Sequence, residues 1–281
     1  MNNFIKKIRR YEKMTHIMSI DHLTVQSNDE KKFLNDISFC INKNEVTGIF
    51  GPSGSGKSTL LKTLVGLSEA NFLIDGQVSY YFDNEDVKKL NTIIDKDGIS
   101  LISPKLSYIP QNAYQAFDPI EKIGKQFEET FLENQIDSTV GKERIKDLFF
   151  KMDLSTEALT KYPFQLSGGM LQRCIIALCL SLNPECVIAD EPTSALDSIN
   201  KKKVIDLFLT YKKEVGKTLI LSTHDISVMD VLCDYVVVLD DGKKIEETKT
   251  CDIDNNDQSY IGKVRKIKEK IGKPFWRLKN G

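Results

Sequence analysis

Gly51-Pro52-Ser53-Gly54-Ser55-Gly56-Lys57-Ser58 sets three glycines, a lysine and a hydroxyl in the spacing G-x-x-x-x-G-K-[ST]. That spacing suits the holding of a phosphate chain. Glycines let the backbone wrap until successive N–H groups converge on one anion, and a helix starting directly afterwards adds its positive end. Lys57 then reaches the outer phosphates, and the Ser58 hydroxyl offers an oxygen to Mg²⁺. Eight positions in register between a strand and a helix argue against a chance glycine turn, and point to ATP or GTP. A second run, Cys186-Val187-Ile188-Ala189-Asp190-Glu191, is a short apolar strand ending in two carboxylates. Asp190 there suits a Mg²⁺ shell and Glu191 suits polarising an attacking water. Leu166-Ser167-Gly168-Gly169-Met170-Leu171-Gln172-Arg173 opens a long apolar helix ending near Leu182, so its tip exposes backbone N–H groups to an anion. Taken alone, such a serine is an ordinary N-cap.

The elements that must carry these residues follow from hydrophobic period and turn chemistry. Short strands are predicted at Leu23 to Val25, Ile37 to Ile41 and Val46 to Phe50, an antiparallel start feeding a buried strand. Leu60, Leu61, Leu64, Val65 and Leu67 recur at helical spacing after the glycine-rich turn, and Gly66 ends that helix. From Pro119 to about Asn183 the pattern reads as helix after helix. Cys186 to Ala189, Thr218 to Leu221 and Tyr235 to Leu239 are apolar runs of the buried-strand type separated by helical stretches. The expected fold is α/β, a parallel sheet with crossover helices and an inserted helical block. Residues 1–18 read as a loose basic extension, 19–250 as the folded domain with the helical block at about 112–183, and 251–281 as a basic C-terminal extension. Within that last part, Lys263 to Lys279 reads as a solvated helix with lipid headgroups or a membrane subunit as alternative contacts.

Length and charge narrow the class. A chain of 281 residues buries enough apolar surface to fold without disulfide or metal staples. With 39 basic against 40 acidic residues there is no global field to hold a nucleic acid. Six scattered cysteines without a C-x-x-C pair read as core residues of a reducing compartment. No run reaches the roughly 20 apolar residues of a membrane span, and no apolar stretch follows the basic start, so the expectation is a chain that stays in the cytoplasm.

Three more segments accompany these motifs: Tyr108-Ile109-Pro110-Gln111 ahead of the helical block, then Ser194-Ala195-Leu196-Asp197 and Ser222-Thr223-His224-Asp225 after the two acids. Taken in chain order, with Lys57, Gln111, Ser167, Asp190 and Glu191, Asp197 and His224 following one another, the six resemble the ATPases of the ABC family over roughly Ile20 to Glu247. The resemblance implies a P-loop fold of ABC type, with a mixed sheet core, an antiparallel β subdomain and an inserted helical subdomain. It implies ATP with Mg²⁺, and two ATPase subunits sandwiching two nucleotides. Gly51 to Thr59, Gln111, Asp190, Glu191 and His224 would then act on one ATP, with Ser58, Gln111 and Asp190 at the metal. Ser167, Gly168 and Gly169 would cap the nucleotide held by the partner, and Asp197, in the segment resembling the family's D-loop, would be a further nucleotide-binding residue. An isolated chain is expected to hydrolyse poorly.

Gln111 to Pro119 resembles the importers of peptides, nickel and metal chelates, and Met170 resembles one of the two ATPase subunits of those systems. The implied assembly pairs this chain with a different ATPase chain, two transmembrane permeases and, indirectly, an extracytoplasmic binding protein, at the cytoplasmic face of the membrane. Ala116-Phe117-Asp118-Pro119 is closer to the nickel subgroup than to the peptide subgroup. Two departures stand out: Gln26 to Lys32 lacks the aromatic on which the family stacks adenine, leaving Phe33, and a lone Cys251 after the core implies no iron–sulfur cluster. The alternatives are an exporter ATPase or an ABC ATPase of DNA repair or translation. Only 56 positions separate Gln111 from Ser167, too few for the long coiled coils of the DNA-maintenance branch. The single cradle argues against the ribosome-acting branch.

Overall fold

The computed structural model describes residues 15–69, 71–82, 88–90, 105–214, 216–255 and 259–271. Among the described residues the first strands are β1 (His16–Ser27) and β2 (Lys32–Asn42), which pair antiparallel through the turn after Ser27. β4 (Phe72–Tyr80) joins the other edge of β1, and the short β5 (Lys88–Lys89) completes a four-stranded antiparallel sheet. β4 escaped the sequence reading because Asp75-Gly76 looks like a turn. Gly76 instead sits at φ +90° opposite an irregularity in β1, where His22 also has positive φ, and a Cβ at Gly76 would meet the His22 carbonyl oxygen at 2.4 Å. The glycine accommodates a bulge and does not end the strand.

The second sheet has six strands in the order β10-β9-β3-β8-β7-β6. These are β3 (Val46–Phe50), β6 (Leu106–Ile109), β7 (Cys186–Asp190), β8 (Thr218–Thr223), β9 (Tyr235–Asp240) and β10 (Lys243–Lys249). All neighbours are parallel except β10, which runs antiparallel along β9. Every residue of β3, β7 and β8 is buried, the mark of strands covered on both faces.

Alternation along these strands sorts their side chains into two cores. One face carries Ile49, Cys186, Ile188, Ile220 and Val237 against β1, β2 and helix α1 (Lys57–Leu64), so α1 lies between the two sheets. The other carries Phe50, Ile109, Val187, Ala189, Leu221 and Val238 against the helical elements. Those are α2 (Ile123–Glu133), α3 (Ser138–Lys151), α4 (Gly168–Ser181), α5 (Ser198–Lys212) and α6 (Ile226–Leu232). α4 is buried at eleven of its fourteen positions, as befits a helix apolar all round.

Two boundaries differ from the sequence reading. Ile17 and Met18 are fully buried in β1, so the core begins inside the stretch read as an extension. At the far end Ile253, and Ile261 of helix α7 (Tyr260–Ile271), join the helical core, so the folded unit continues past residue 250 and the solvated helix is docked through that face. Phe275 and Trp276 lie outside the described residues.

The helical block is closely packed around Gly141 of α3, where an added Cβ would stand 2.5 Å from the ring of Phe131, itself 2% exposed. Replacing glycine by alanine in a helix gains about 1 kcal/mol of propensity, whereas overpacking a core costs about 1–3 kcal/mol. Gly141→Ala is therefore expected to lower stability by about 1 kcal/mol net, read as a lower urea midpoint with an unchanged slope.

Candidate active site

The glycine-rich turn leaves the carboxyl end of β3 and enters α1 with Gly56 as N-cap. Gly56 has φ +98°, and a Cβ there would press on the Phe33 carbonyl oxygen at 2.7 Å, so the position requires glycine twice over. The Lys57 side chain is 6% exposed and curls back over the turn, donating to the carbonyls of Gly51 at 2.9 Å and Pro52 at 2.8 Å. Burial lowers its pKa, while the negative charges of Glu191 and Asp190 oppose that shift. The ammonium is thus held by two neutral carbonyls and attracted by two carboxylates.

The carboxylates stand at the end of β7. Asp190 is 2% exposed and accepts a hydrogen bond from the Ser222 hydroxyl at 2.6 Å. The next residue, Glu191, turns to φ +44°, and its N–H donates to the same Ser222 oxygen at 2.9 Å. Its two carboxylate oxygens have different partners: His224 Nδ1 lies 3.1 Å from Oε1, and Gln111 Nε2 donates to Oε2 at 3.5 Å. β8 supplies Ser222 and the loop after it His224, while Gln111 follows β6. Three strand ends therefore converge on one carboxylate.

A cavity of about 500 Å³ joins the turn to Gln111 and Glu191, lined by Ser53, Lys57, Ser58 and Thr59 among others, while Asp190 and His224 stand outside its lining. Gly54 and Gly56 of the turn also line it, whereas Gly51, Pro52 and Ser55 shape the turn from beneath. Phe33, stacked on Phe72 at 4.7 Å between ring centroids, stands in the same wall with Lys31 and Asp241. Neighbouring aromatic and phosphate-type surfaces in one cavity match a nucleotide.

Ser167, Gly168, Gly169 and Asp197 do not line that cavity. Ser167 caps α4, its hydroxyl accepting from Met170 N–H at 3.3 Å, and Asp197 caps α5 by accepting from Ile199 and Asn200. The N–H and side-chain bonds from Asn200, then that from Ile199, hold the Asp197 carboxyl below its ordinary pKa. A Cβ on Gly169 would lie 3.4 Å from Leu196, so the two helix tips form one patch, separate from the cradle.

Several supporting residues were not legible beforehand. Gln172, 1% exposed, donates to the Pro110 carbonyl at 3.3 Å, and the Tyr114 hydroxyl donates to the Leu166 carbonyl at 3.0 Å. Both tie the segment around Gln111 to the tip of α4. Arg173 donates to the carbonyls of Gly169, Met152 and Asp153, fastening α4 to the end of α3. Their only sequence signal was proximity to a motif, since the partners are carbonyls far along the chain.

The profile of the ABC transporter family matches residues 34–194, more than half of the chain. This protein belongs to the ABC transporter family. It is an ATPase, built on the cassette fold of that family. A metal-staphylopine import system ATP-binding protein of Staphylococcus aureus is 33% identical over 272 residues, covering 94% of this chain and 98% of the relative. A nickel import system ATP-binding protein of the same species is 33% identical over 233 residues, 82% of this chain and 87% of the relative. Among solved structures, a dimeric ATP-binding cassette in a post-hydrolysis state with ADP and Pi gives a TM-score of 0.71 at 28% identity, over 83% of this chain and 98% of that one. The Clostridium perfringens cbiO1 cassette, part of the cbiONQ complex, shares the fold with a TM-score of 0.69 at 24% identity, over 92% and 96%. Among the described residues no helix is long and apolar enough to cross a membrane.

Ser222 serves both carboxylate-bearing residues, so its removal strands the Asp190 oxygen and the Glu191 N–H together. Each lost buried hydrogen bond costs about 1–3 kcal/mol when its partner is left unsatisfied. Ser222→Ala is expected to lower stability by about 2 kcal/mol in denaturant melts and to reduce ATP turnover at least tenfold.

Proposed function

We propose that this ATPase powers uptake of a metal ion or metal chelate, as one half of an ATPase pair bound to two permeases at the cytoplasmic face of the membrane. The carrying observation is the separation of the two anion-facing surfaces. Lys57 and Glu191 share one cavity, while the Ser167–Gly169 and Asp197 patch lies outside it. A chain that holds half of its nucleotide contacts on another surface needs a second cassette to complete each pocket. Metal cargo is favoured over peptide because metal-import relatives match 94% and 82% of the chain. By the same resemblance the permeases receive substrate from an extracytoplasmic binding protein, and the second cassette is a different chain.

In the closed pair the N–H groups of residues 53–59 hold the β-phosphate, and Lys57 leaves the Gly51 and Pro52 carbonyls for the β- and γ-phosphates. The donor set around Ser58, Gln111 and Asp190 is all oxygen, and the Asp190 carboxylate is oriented by Ser222, which fits Mg²⁺. When bound, that ion neutralises phosphate charge. Glu191 accepts a proton from the attacking water, and the contacts at its two oxygens from His224 and Gln111 fix the direction in which its lone pairs point. Phe33 presents its ring to the adenine in place of an aromatic in the preceding turn.

Glu191→Gln keeps the shape and one acceptor oxygen but removes the base. In the reconstituted pair its turnover should fall at least 100-fold, within the span of about 10²–10⁴ ascribed to general-base catalysis, with ATP affinity changed less than about threefold. Turnover near wild type would refute the role of Glu191. Full activity of the purified chain at concentrations where sedimentation finds only monomer would refute the composite pocket. Phe33→Ala should weaken ATP binding about tenfold, from a base-stacking contribution of about 1–3 kcal/mol.

A further inference from the structure

The parallel register sets Tyr108 of β6 beside Ile188 of β7. Side chains alternate along a strand, and both residues belong with the core beneath α1. Asp190 has the same parity as Ile188, so Tyr108 and Asp190 share one face of the sheet on adjacent strands, two residues out of step. Strands lie about 4.8 Å apart and rise about 3.3 Å per residue, which puts the pair within reach of an aromatic side chain.

The Tyr108 hydroxyl is shielded from solvent and has no hydrogen-bond partner among the described residues. Desolvation, then the Asp190 charge, pushes its pKa well above the usual phenol value, consistent with a neutral hydroxyl facing that carboxylate. A buried hydroxyl without a partner is destabilising, so an orphan beside an active-site acid calls for an occupant that the folded chain alone does not provide. The Asp190 oxygen Oδ1 is engaged by Ser222. Phenylalanine would fill the same apolar volume without the polar atom.

We infer that Tyr108 is a positioning residue for the cation site, its hydroxyl holding the Asp190 carboxylate through an ordered water once Mg²⁺ and nucleotide are bound. The water would accept from the phenol and donate to the Asp190 oxygen that Ser222 does not engage. This rests on the reading of Asp190 as a metal-site residue.

The test is Tyr108→Phe in the full-length chain, comparing nucleotide affinity in Mg²⁺ with affinity in EDTA by fluorescence titration, alongside thermal melts. Removing a partner that orients a metal ligand typically weakens the metal site 10–100-fold, and a water-mediated contact belongs at the lower end. Nucleotide affinity should therefore drop about tenfold in Mg²⁺ and stay unchanged in EDTA, while the melting temperature of the nucleotide-free variant holds or rises because the orphan is gone. Equal weakening with and without Mg²⁺ would mark Tyr108 as a packing residue and overturn the inference. So would an unchanged Mg²⁺ dependence in a variant whose wild-type parent responds to Mg²⁺. A wild-type chain that binds nucleotide equally well in EDTA would overturn the metal-site reading itself, and this inference with it.

Discussion

The turn at the end of β7 is the constraint on which the site depends. Glu191 must leave the strand sharply for its carboxylate to face the cavity while Asp190 stays buried, and it does so at φ +44°. A left-handed conformation costs a non-glycine residue about 1–2 kcal/mol. Hydrogen bonds from Glu191 N–H to Ser222, and from the Ser194 N–H and hydroxyl to the Glu191 carbonyl, each contribute about 1 kcal/mol and offset that strain. The conformation survives because three surrounding contacts over-determine it.

The side chains that meet the Glu191 carboxylate arrive along neighbouring strands. β8 brings Ser222 and His224, β6 brings Gln111, and β3 brings the cradle, all at the same carboxyl edge. Parallel pairing fixes this, since strands running in one direction put all their carboxyl ends on one side. α1 is held between the two sheets, so the cradle is braced from both sides and the Gly56 position has no freedom to drift.

The helical block is coupled to the same edge by different means. Its core is continuous with one face of the large sheet, and its polar ties to the neighbouring elements include Gln172 to the Pro110 carbonyl, Lys217 to Asn183 and Lys203 to Asp153 at 2.7 Å. The Lys203–Asp153 pair is exposed and worth at most about 1 kcal/mol. Apolar packing therefore holds the block in place, and the hydrogen bonds set its register against Gln111. The tip that carries Ser167 and the segment that carries Gln111 are thus tied to one another through Tyr114 and Gln172.

The phosphate cradle, the two acids after an apolar strand and the glycine-tipped helix were legible in the sequence because local chemistry dictates them. Phosphate binding demands glycine and lysine at fixed spacing, and a buried strand demands an unbroken apolar run. The sequence missed β4, since the glycine that looks like a turn serves a bulge whose other half lies more than fifty residues away. It missed Ser222, Gln172 and Tyr108 for the same reason: their meaning lies in partners brought near only by strand pairing. Residue type and spacing by themselves fixed the motifs that mark the family and the acids that are candidates for its chemistry. Tertiary structure decided which groups share a cavity and which remain on a separate face, because that depends on register and on the direction each strand end points, and neither is local.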